Sequence, residues 1–413
     1  MKRTLVFALG LVVGSVWLSN CKKETEAPEG QPPSNQSQET ADLAAETGLT
    51  NDTIVVGQWG PQTGPAALWG AVARGTQTYF EMLNQEGGIH GRKLKLLIRD
   101  DAYQPPRTKS AVMELVEKEG VFAFVGGVGT GPGMAVKDYL AEKKTPWIGP
   151  ASGSSQWAKK FSRYLFSLYP TYETEARALV AYLLETAKKK NLAFIYQNDD
   201  YGKEGLEGAR AEMKKHGKEL VTEISVEIAD QDLSSHVLKL KEANPDCVVL
   251  WLLPKHAAIT LGTAAKLNFK PLWASSSTLS DASLMHKITK GLWDGVIFTS
   301  FLELPDSDHP RVKKYRQAYE KYGKEANPQE EWGVFFMAGF LFAEPFIEAL
   351  NRAGPELNRE KLISSLESLK NWDDGIGHNI TFGPNQRQGQ KSVFVAKCEN
   401  GKAVKVTDWI TVN

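Results

Sequence analysis

Short apolar segments alternate with amphipathic helical stretches along most of the chain. After Ile54-Val55-Val56, apolar residues recur at helical spacing until Gly87-Gly88, and the apolar segment 94–98 follows. A further helical stretch then precedes the apolar segment 121–125. This rhythm predicts an α/β protein, because alternating strands and helices build a parallel sheet that helices cover on both faces.

The same rhythm begins again in the second half of the chain. Strand-like segments lie at 192–196, 221–228 and 247–253, with helical stretches around them. Two such units predict two doubly wound parallel-sheet lobes. Ligands of such sheets bind beyond the carboxyl ends of the strands, so we expect a site in the cleft between the lobes.

Length and composition exclude several classes of protein. With 413 residues, 42% of them hydrophobic, the chain is too large for a small disulfide-stapled scaffold and is long enough for more than one domain. Its 49 basic and 49 acidic side chains leave no excess charge to attract nucleic acid. The cysteines, Cys21, Cys247 and Cys398, lack paired metal-ligand spacing. Whether Cys247 and Cys398 pair is left open.

The N-terminus has the pattern of an export signal. Lys2 and Arg3 precede an apolar stretch, 5–18, that is shorter than the roughly 20 residues needed to span a bilayer. We therefore predict a signal peptide at 1–20. The following segment, 21–51, begins with a stretch that is almost without large apolar groups, so we expect a flexible linker there.

The signal ends in a short motif around a cysteine. Leu18-Ser19-Asn20-Cys21 resembles a bacterial lipoprotein box, although Asn20 departs from the usual glycine, alanine or serine. The resemblance implies lipid attachment at Cys21 and a protein tethered to a membrane, in the periplasm or at the cell surface. An ordinary signal peptide followed by an unrelated cysteine is the alternative.

Two turns are rich in groups that contact ligands. The loop 126–133 contains five glycines and could hold an anion with its N–H groups, or could serve conformation alone. It fits neither nucleotide-binding glycine pattern, because no register supplies the last glycine or the lysine. The turn 150–155 offers hydroxyl and N–H groups, and a helix cap near Ser154 is its alternative interpretation.

Signals for an enzyme are missing from the sequence. Ser152 is not framed by glycines as a nucleophile elbow, and the seven histidines form no H-E-x-x-H motif. Asp100 and Asp101 are adjacent on a strand end and would point to opposite faces, so they make a poor acid–base pair. We therefore expect neither catalysis nor a metal or other cofactor.

Several longer motifs carry a family resemblance. Segment 84–91, Asn-Gln-Glu-Gly-Gly-Ile-His-Gly, is followed by a strand and the pair Asp100-Asp101. Further motifs are Asn198-Asp199-Asp200-Tyr201-Gly202, Trp293-Asp294-Gly295-Val296 and Ile380-Thr381-Phe382-Gly383. From residue 53 to 406 the chain resembles the type I periplasmic binding proteins of bacterial transporters, in particular the leucine/isoleucine/valine-binding branch.

The resemblance implies a fold, a mechanism and partners. Two α/β lobes joined by three crossovers would close on a small-molecule ligand, and the permease of an ABC transporter in the inner membrane would recognise the closed form. Lobe 1 would comprise 52–169 and 301–377, and lobe 2 would comprise 170–300 and 378–413. No cofactor, covalent chemistry or nucleic acid is implied.

The resemblance also assigns ligand contacts. A hydroxyl, Thr130, and backbone groups of Ala151 and Gly153 would bind a carboxylate, with Ser152 as a substitute hydroxyl. Tyr201 would reach the ligand from lobe 2, and Trp69 would form a wall of the pocket. The implied ligand-binding set is Trp69, Thr130, Ala151, Ser152, Gly153, Tyr172, Tyr201 and Ser277.

Two of these positions depart from the family pattern. Tyr172 and Ser277 stand where amino-acid binders usually carry an acidic side chain for the ligand's ammonium group. Glu173 or Asp281 would supply that charge only if the alignment shifts. Because an unpaired buried charge is costly, we expect an apolar or aromatic carboxylate to fit better than an amino acid. A ligand sensor for a signalling partner and a non-binding structural lipoprotein are the alternative functions.

Overall fold

The computed structural model describes residues 46–411. The predicted signal peptide, Cys21 and residues 22–45 of the predicted linker lie outside the described residues. The last residues of the predicted linker, 46–51, pack on the folded domain, so the linker ends before residue 51. The backbone N–H of Val55 donates to Gly48 O (2.8 Å), and the Glu46 carboxylate lies 3.6 Å from Arg359 Nε.

The first sheet contains five parallel strands in the order β2-β1-β3-β4-β5. Its strands are β1 (Thr53–Gly60), β2 (Lys93–Asp100), β3 (Ala123–Val125), β4 (Trp147–Ile148) and β5 (Leu165–Phe166). After β2 the chain crosses to the other side of β1. That reversal makes a topological switch point, where the carboxyl ends of β1 and β3 leave room for a ligand.

The second sheet contains eight strands in the order β12-β11-β10-β9-β8-β6-β7, with β13 paired to β11. Its strands are β6 (Leu192–Gln197), β7 (Thr222–Val226), β8 (Cys247–Trp251), β9 (Leu272–Ser275), β10 (Ile297–Ser300), β11 (Ser392–Glu399), β12 (Lys402–Lys405) and β13 (Ile410–Thr411). Every residue of β8 is buried, as expected of a central strand. The last three strands are antiparallel additions. A hairpin at Asn400-Gly401 joins β11 to β12, and its two positive φ angles (52° and 75°) are those of a tight two-residue turn.

Thirteen helices are present in the described range 46–411. They are α1 (Ala71–Gln85), α2 (Pro105–Glu117), α3 (Thr130–Glu142), α4 (Gln156–Lys159), α5 (Tyr172–Glu185), α6 (Asp200–Lys215), α7 (Ser234–Glu242), α8 (Pro254–Lys266), α9 (Ala282–Ile288), α10 (Pro310–Ala318), α11 (Lys324–Ala326), α12 (Val334–Ala353) and α13 (Arg359–Glu367). Two α/β units with parallel sheets and covering helices confirm the predicted fold class.

Helix α12 is the apolar centre of the first lobe. It is long and apolar enough to pass for a membrane span, but most of it is buried within the protein, which accounts for its composition. It packs against α1 so closely that a Cβ on Gly339 would lie 2.2 Å from Val72 O, and a Cβ on Gly75 would lie 2.0 Å from Phe336 O. Glycines are therefore required on both helices at this contact.

Three chain segments connect the two sheets, and glutamine side chains tie them together. Gln388 Nε2 donates to Tyr169 O (2.7 Å) in the first segment, and Gln390 Nε2 donates to Phe301 O (2.6 Å) in the second. Phe382, beyond the predicted boundary at 377, packs on Phe166 of the first sheet. The lobe boundaries themselves remain a prediction.

Both described cysteines are buried and free, so they do not pair with each other in this structure. Burial raises the pKa of the Cys247 thiol, and burial together with Asp294 raises the pKa of Cys398 to about 12. Neither thiol is a reactive thiolate at neutral pH.

Gly339→Ala tests the close contact between α1 and α12. The new methyl group has no space, so we expect the free energy of unfolding to fall by about 1–3 kcal/mol in denaturant titrations. Gly262→Ala on α8 is the matched control. Nothing lies within 4 Å of its Cβ position, so there alanine should leave stability unchanged or raise it by about 1 kcal/mol. Equal effects of the two substitutions would contradict this description.

Candidate functional site

A cavity lies where the carboxyl ends of the two sheets face each other. Loops after β3, β4, β5, β8 and β9 and the first turn of α6 contribute to it. Its free volume is ≈ 30 Å³, room for about one water molecule. The lining residues of this inner cavity are Trp69, Tyr103, Val128, Gly129, Ala151, Tyr169, Tyr172, Tyr201, Leu253 and Thr278.

The N-terminus of α3 points at the inner cavity from lobe 1. The glycine loop after β3 ends at Gly129, whose φ of 104° lies in the left-handed region that favours glycine, and α3 begins at Thr130. No side chain caps this helix end in the described chain. Free N–H groups and the positive end of the helix dipole make such a terminus favourable for a carboxylate.

Aromatic rings make the opposite wall. Tyr172 and Tyr201 pack edge to face with ring centroids 4.9 Å apart, and both rings contact Trp251. The Tyr201 hydroxyl lies 2.6 Å from Thr278 Oγ1. Burial raises the pKa of Tyr172 and of Tyr201, so both phenols are neutral and keep a proton to donate.

A chain of hydroxyl groups lies directly behind the cavity wall. Thr130 Oγ1 is 2.8 Å from Ser152 Oγ, and both side chains are buried. The Tyr172 hydroxyl also lies within hydrogen-bonding reach of Ser152 and of the Gly153 backbone. These groups hold the wall in place. Their hydrogen bonds also orient the hydroxyl of Tyr172, which lines the cavity.

The structure brings only part of the predicted set to the cavity. Trp69, Ala151, Tyr172 and Tyr201 line it, and Thr130 and Ser152 lie one layer behind. The Ala151 N–H already donates to Gly127 O (3.0 Å). A role for these residues in binding a ligand remains a prediction.

Gly153 and Ser277 are placed away from the cavity. A Cβ on Gly153 would meet Tyr172 at 2.9 Å, so this glycine allows the aromatic wall to pack. Ser277 Oγ lies 2.6 Å from the Tyr169 hydroxyl, and its N–H donates to the buried carboxylate of Glu175. The neighbouring Thr278 takes the place on the cavity wall, because Ser277 starts a single turn of 3-10 helix.

The two alternative acidic residues do not face the cavity either. Glu173 points outward, with a side chain 37% exposed and 3.9 Å from Lys159 Nζ. Asp281 accepts hydrogen bonds from Leu284 N (3.1 Å) and Phe335 N (3.4 Å), so it holds the N-termini of α9 and α12 together. Burial raises the pKa of Asp281 to about 6.

Sequence reasoning missed six lining residues. These are Tyr103, Val128, Gly129, Tyr169, Leu253 and Thr278. Tyr103 and Leu253 follow the carboxyl ends of β2 and β8, and the rule that ligands bind there could have identified them. Tyr169, in the first crossover, stacks on Phe301 of the second with centroids 4.1 Å apart.

A buried carboxylate connects the lobes beside the cavity. Glu204, on α6, accepts hydrogen bonds from Ser154 Oγ (2.7 Å) and Ser155 N (2.8 Å) in the turn after β4. Burial raises its pKa, and the two hydrogen bonds oppose that rise. The contact joins the cavity-lining ends of both sheets.

A wide outer cleft of ≈ 980 Å³ opens beyond the inner cavity. It lies between the 64–68 and 102–104 segments on one side and 228–231 and α8 on the other. Its lining is mostly apolar, and Lys255 is the one charged side chain among the residues that line it. No group of three or more potential metal ligands occurs within residues 46–411.

Comparison with known proteins agrees with this architecture. The sequence profile of the periplasmic binding protein family matches residues 53–403. A Leu/Ile/Val-binding protein homolog of Brucella melitensis is 26% identical over 352 residues, covering 85% of this chain and 93% of the relative. The structure of a fatty acid ABC transporter substrate-binding protein from Thermomonospora curvata superposes with a TM-score of 0.79 and 25% identity, covering 89% of this chain and 94% of that one.

A branched-chain amino acid ABC transporter protein from Thermus thermophilus, with bound valine, also has a TM-score of 0.79. At 20% identity, covering 88% of this chain and 98% of that one, it supports the fold alone. The chain belongs to the periplasmic binding protein family. Within it, the family match and the relatives support a solute-binding protein of the ABC transporter type with an extracytoplasmic location.

Glu204→Gln tests the connection between the lobes. The amide removes the charge and one of the two acceptor oxygens, so the charge-assisted hydrogen bonds to the turn after β4 weaken, and we expect a loss of about 1–3 kcal/mol in the lobe–lobe contact. Small-angle X-ray scattering should show a larger radius of gyration than for the wild type without ligand. Glu207→Gln, on the exposed face of the same helix, is the control and should not change it. An unchanged radius in both variants would contradict the prediction.

Proposed function

We propose that this chain is a lipid-anchored solute-binding protein that delivers a small apolar or aromatic monocarboxylate to an ABC importer. The observation that carries the proposal is the inner cavity, which combines a helix N-terminus and tyrosine hydroxyls with an apolar wall and no acidic lining residue. Relatives named for leucine, isoleucine and valine and for fatty acids share a carboxylate and an apolar group in their named ligands.

The carboxylate is assigned to the α3 end of the cavity. Gly129 allows the chain to approach a ligand closely there, and the N–H groups of the first turn of α3 favour an anion. Neutral Tyr172 and Tyr201 hydroxyls add donors from the second lobe, so the anion would contact both lobes. Contacts from both lobes favour the closed arrangement that a permease recognises.

The absence of an acidic lining residue argues against an amino-acid zwitterion. The nearby carboxylates already accept hydrogen bonds from the protein: Glu175 Oε1 accepts from Ser277 N and Thr299 Oγ1, and Glu204 accepts from Ser154 and Ser155. An ammonium group placed in the inner cavity would find no carboxylate on its walls. Leaving such a charge unpaired costs several kcal/mol.

Leucine and its deaminated analogue, isocaproate, give a matched test of the ligand class. Both present the same branched apolar group and carboxylate, and only leucine has an ammonium group. By isothermal titration calorimetry we expect isocaproate to bind at least tenfold more tightly, because leucine would bury an unpaired charge. Tight leucine binding with no response to isocaproate would overturn the proposed ligand class.

The lipid anchor is tested by fractionating cells that express the full chain. Cys21→Ser removes the proposed acylation site, so we expect the protein to move from the membrane fraction to the soluble extracytoplasmic fraction. Asn20→Gly brings the box closer to the usual pattern and should leave the protein with the membrane. Release of both variants, or of neither, would contradict anchoring through Cys21.

A further inference from the structure

We propose that the ligand carries an elongated apolar chain that lies in the outer cleft, and that Tyr103 is the specificity-determining residue between the cleft and the inner cavity. The inference rests on the proposed function, because it assumes that the inner cavity holds the ligand's carboxylate. It adds the size and shape of the rest of the ligand.

The two cavities meet at one side chain. Tyr103 is the only residue that lines both the inner cavity and the outer cleft among the residues that the structure describes. The inner cavity, at ≈ 30 Å³, holds about one water molecule, whereas the outer cleft measures ≈ 980 Å³. A ligand larger than its carboxylate end must therefore displace Tyr103 and extend into the outer cleft.

The outer cleft suits an apolar chain. Both lobes line it with aliphatic groups, among them Leu68 on one side and Ile228, Ile259 and Ile288 on the other. An exposed apolar lining of this kind gains free energy when an apolar ligand removes it from water. Closure of the lobes would cover the chain from both sides.

The backbone conformation around Tyr103 fixes the direction of its side chain. Ala102 and Tyr103 both have positive φ (49° and 63°), a conformation disfavoured for residues with a side chain. The carboxylates of Asp100 and Asp101 hold this turn by accepting hydrogen bonds from the two N–H groups, each at 2.9 Å. The acidic pair therefore acts as a turn cap that directs Tyr103 between the cavities.

Tyr103 also packs against the glycine loop and faces lobe 2. A Cβ on Gly129 would lie 2.6 Å from the Tyr103 ring, so only glycine fits beside it. Its hydroxyl lies near the side chain of Gln197 in lobe 2, whose buried Oε1 has no hydrogen-bond partner in the described part of the chain. Movement of this ring would release contacts to both lobes at once, which couples chain entry to lobe closure.

The opposite orientation of the ligand would place its carboxylate at Lys255, outside the inner cavity. Its Nζ already donates to Gln231 Oε1 (2.6 Å) at the rim of the outer cleft. The inner cavity offers several donors beside a helix N-terminus, so we assign the carboxylate to the inside and the chain to the outside. Lys255→Met should then retain carboxylate binding, because the carboxylate is held inside.

The first experiment measures affinity against chain length. Butanoate, hexanoate and octanoate are titrated into the purified protein by calorimetry. Each added methylene that enters the outer cleft should raise the affinity roughly fourfold. Ile259→Asn should weaken octanoate binding while sparing butanoate. Leu238→Asn, an exposed leucine on α7 that does not line the cleft, is the control and should change neither affinity.

The second experiment changes the residue between the cavities. Tyr103→Ala joins the inner cavity to the outer cleft, so we expect the preference for octanoate over its branched isomer valproate to fall roughly tenfold or more. Tyr103→Phe keeps the ring and should retain the preference. Thermal unfolding of both variants establishes that they are folded before the affinities are compared.

The outcomes separate this inference from the function it rests on. Equal affinity for butanoate and octanoate, an unchanged preference in Tyr103→Ala, or loss of carboxylate binding in Lys255→Met would overturn the inference. Binding of butanoate and octanoate to the wild type would still support the proposed function. Binding of leucine with no binding of isocaproate, butanoate, hexanoate or octanoate would overturn both. A chain-length series that rises and that Ile259→Asn selectively flattens supports the inference.

Discussion

Polar groups buried between the two sheets must be paired, and this requirement organises the centre of the molecule. A carboxylate or hydroxyl taken out of water without a partner destabilises the fold by kilocalories per mole. Glu204 and Asp281 of the second lobe meet that requirement by accepting backbone N–H groups from the first lobe, and Glu175 meets it through one oxygen, Oε1, which accepts from Ser277 N. These hydrogen bonds, together with the packed aromatic rings of the cavity wall, set the orientation of the lobes.

This pairing explains why the site is neutral although carboxylates surround it. Each nearby acidic side chain is committed to a helix end or a turn, and what remains for a ligand is a helix N-terminus, phenol hydroxyls and rings. The fold is shared with relatives named for different ligands, so the ligand has to be argued from the lining and not from the architecture.

The sequence predicted the architecture well because hydrophobic periodicity distinguishes strands from helices along the chain. It predicted the site only in part, since a side chain's direction depends on local backbone geometry. Thr278, and not Ser277, lines the cavity because a single turn of 3-10 helix rotates the chain by one position. Tyr103 was missed because two consecutive left-handed residues aim it inward, and no periodic pattern encodes that conformation. The early end of the linker depended on a distant partner, Arg359.

The contact between α1 and α12 joins parts of the chain that are synthesised far apart. Gly75 belongs to the first helix of the fold, whereas Gly339 lies beyond the whole second group of strands β6 to β10. The first lobe therefore cannot complete its interior until most of the polypeptide has been made, and native contacts at such separation form slowly. Until α12 has been made, the first lobe lacks the helix that fills its interior and cannot reach its native packing.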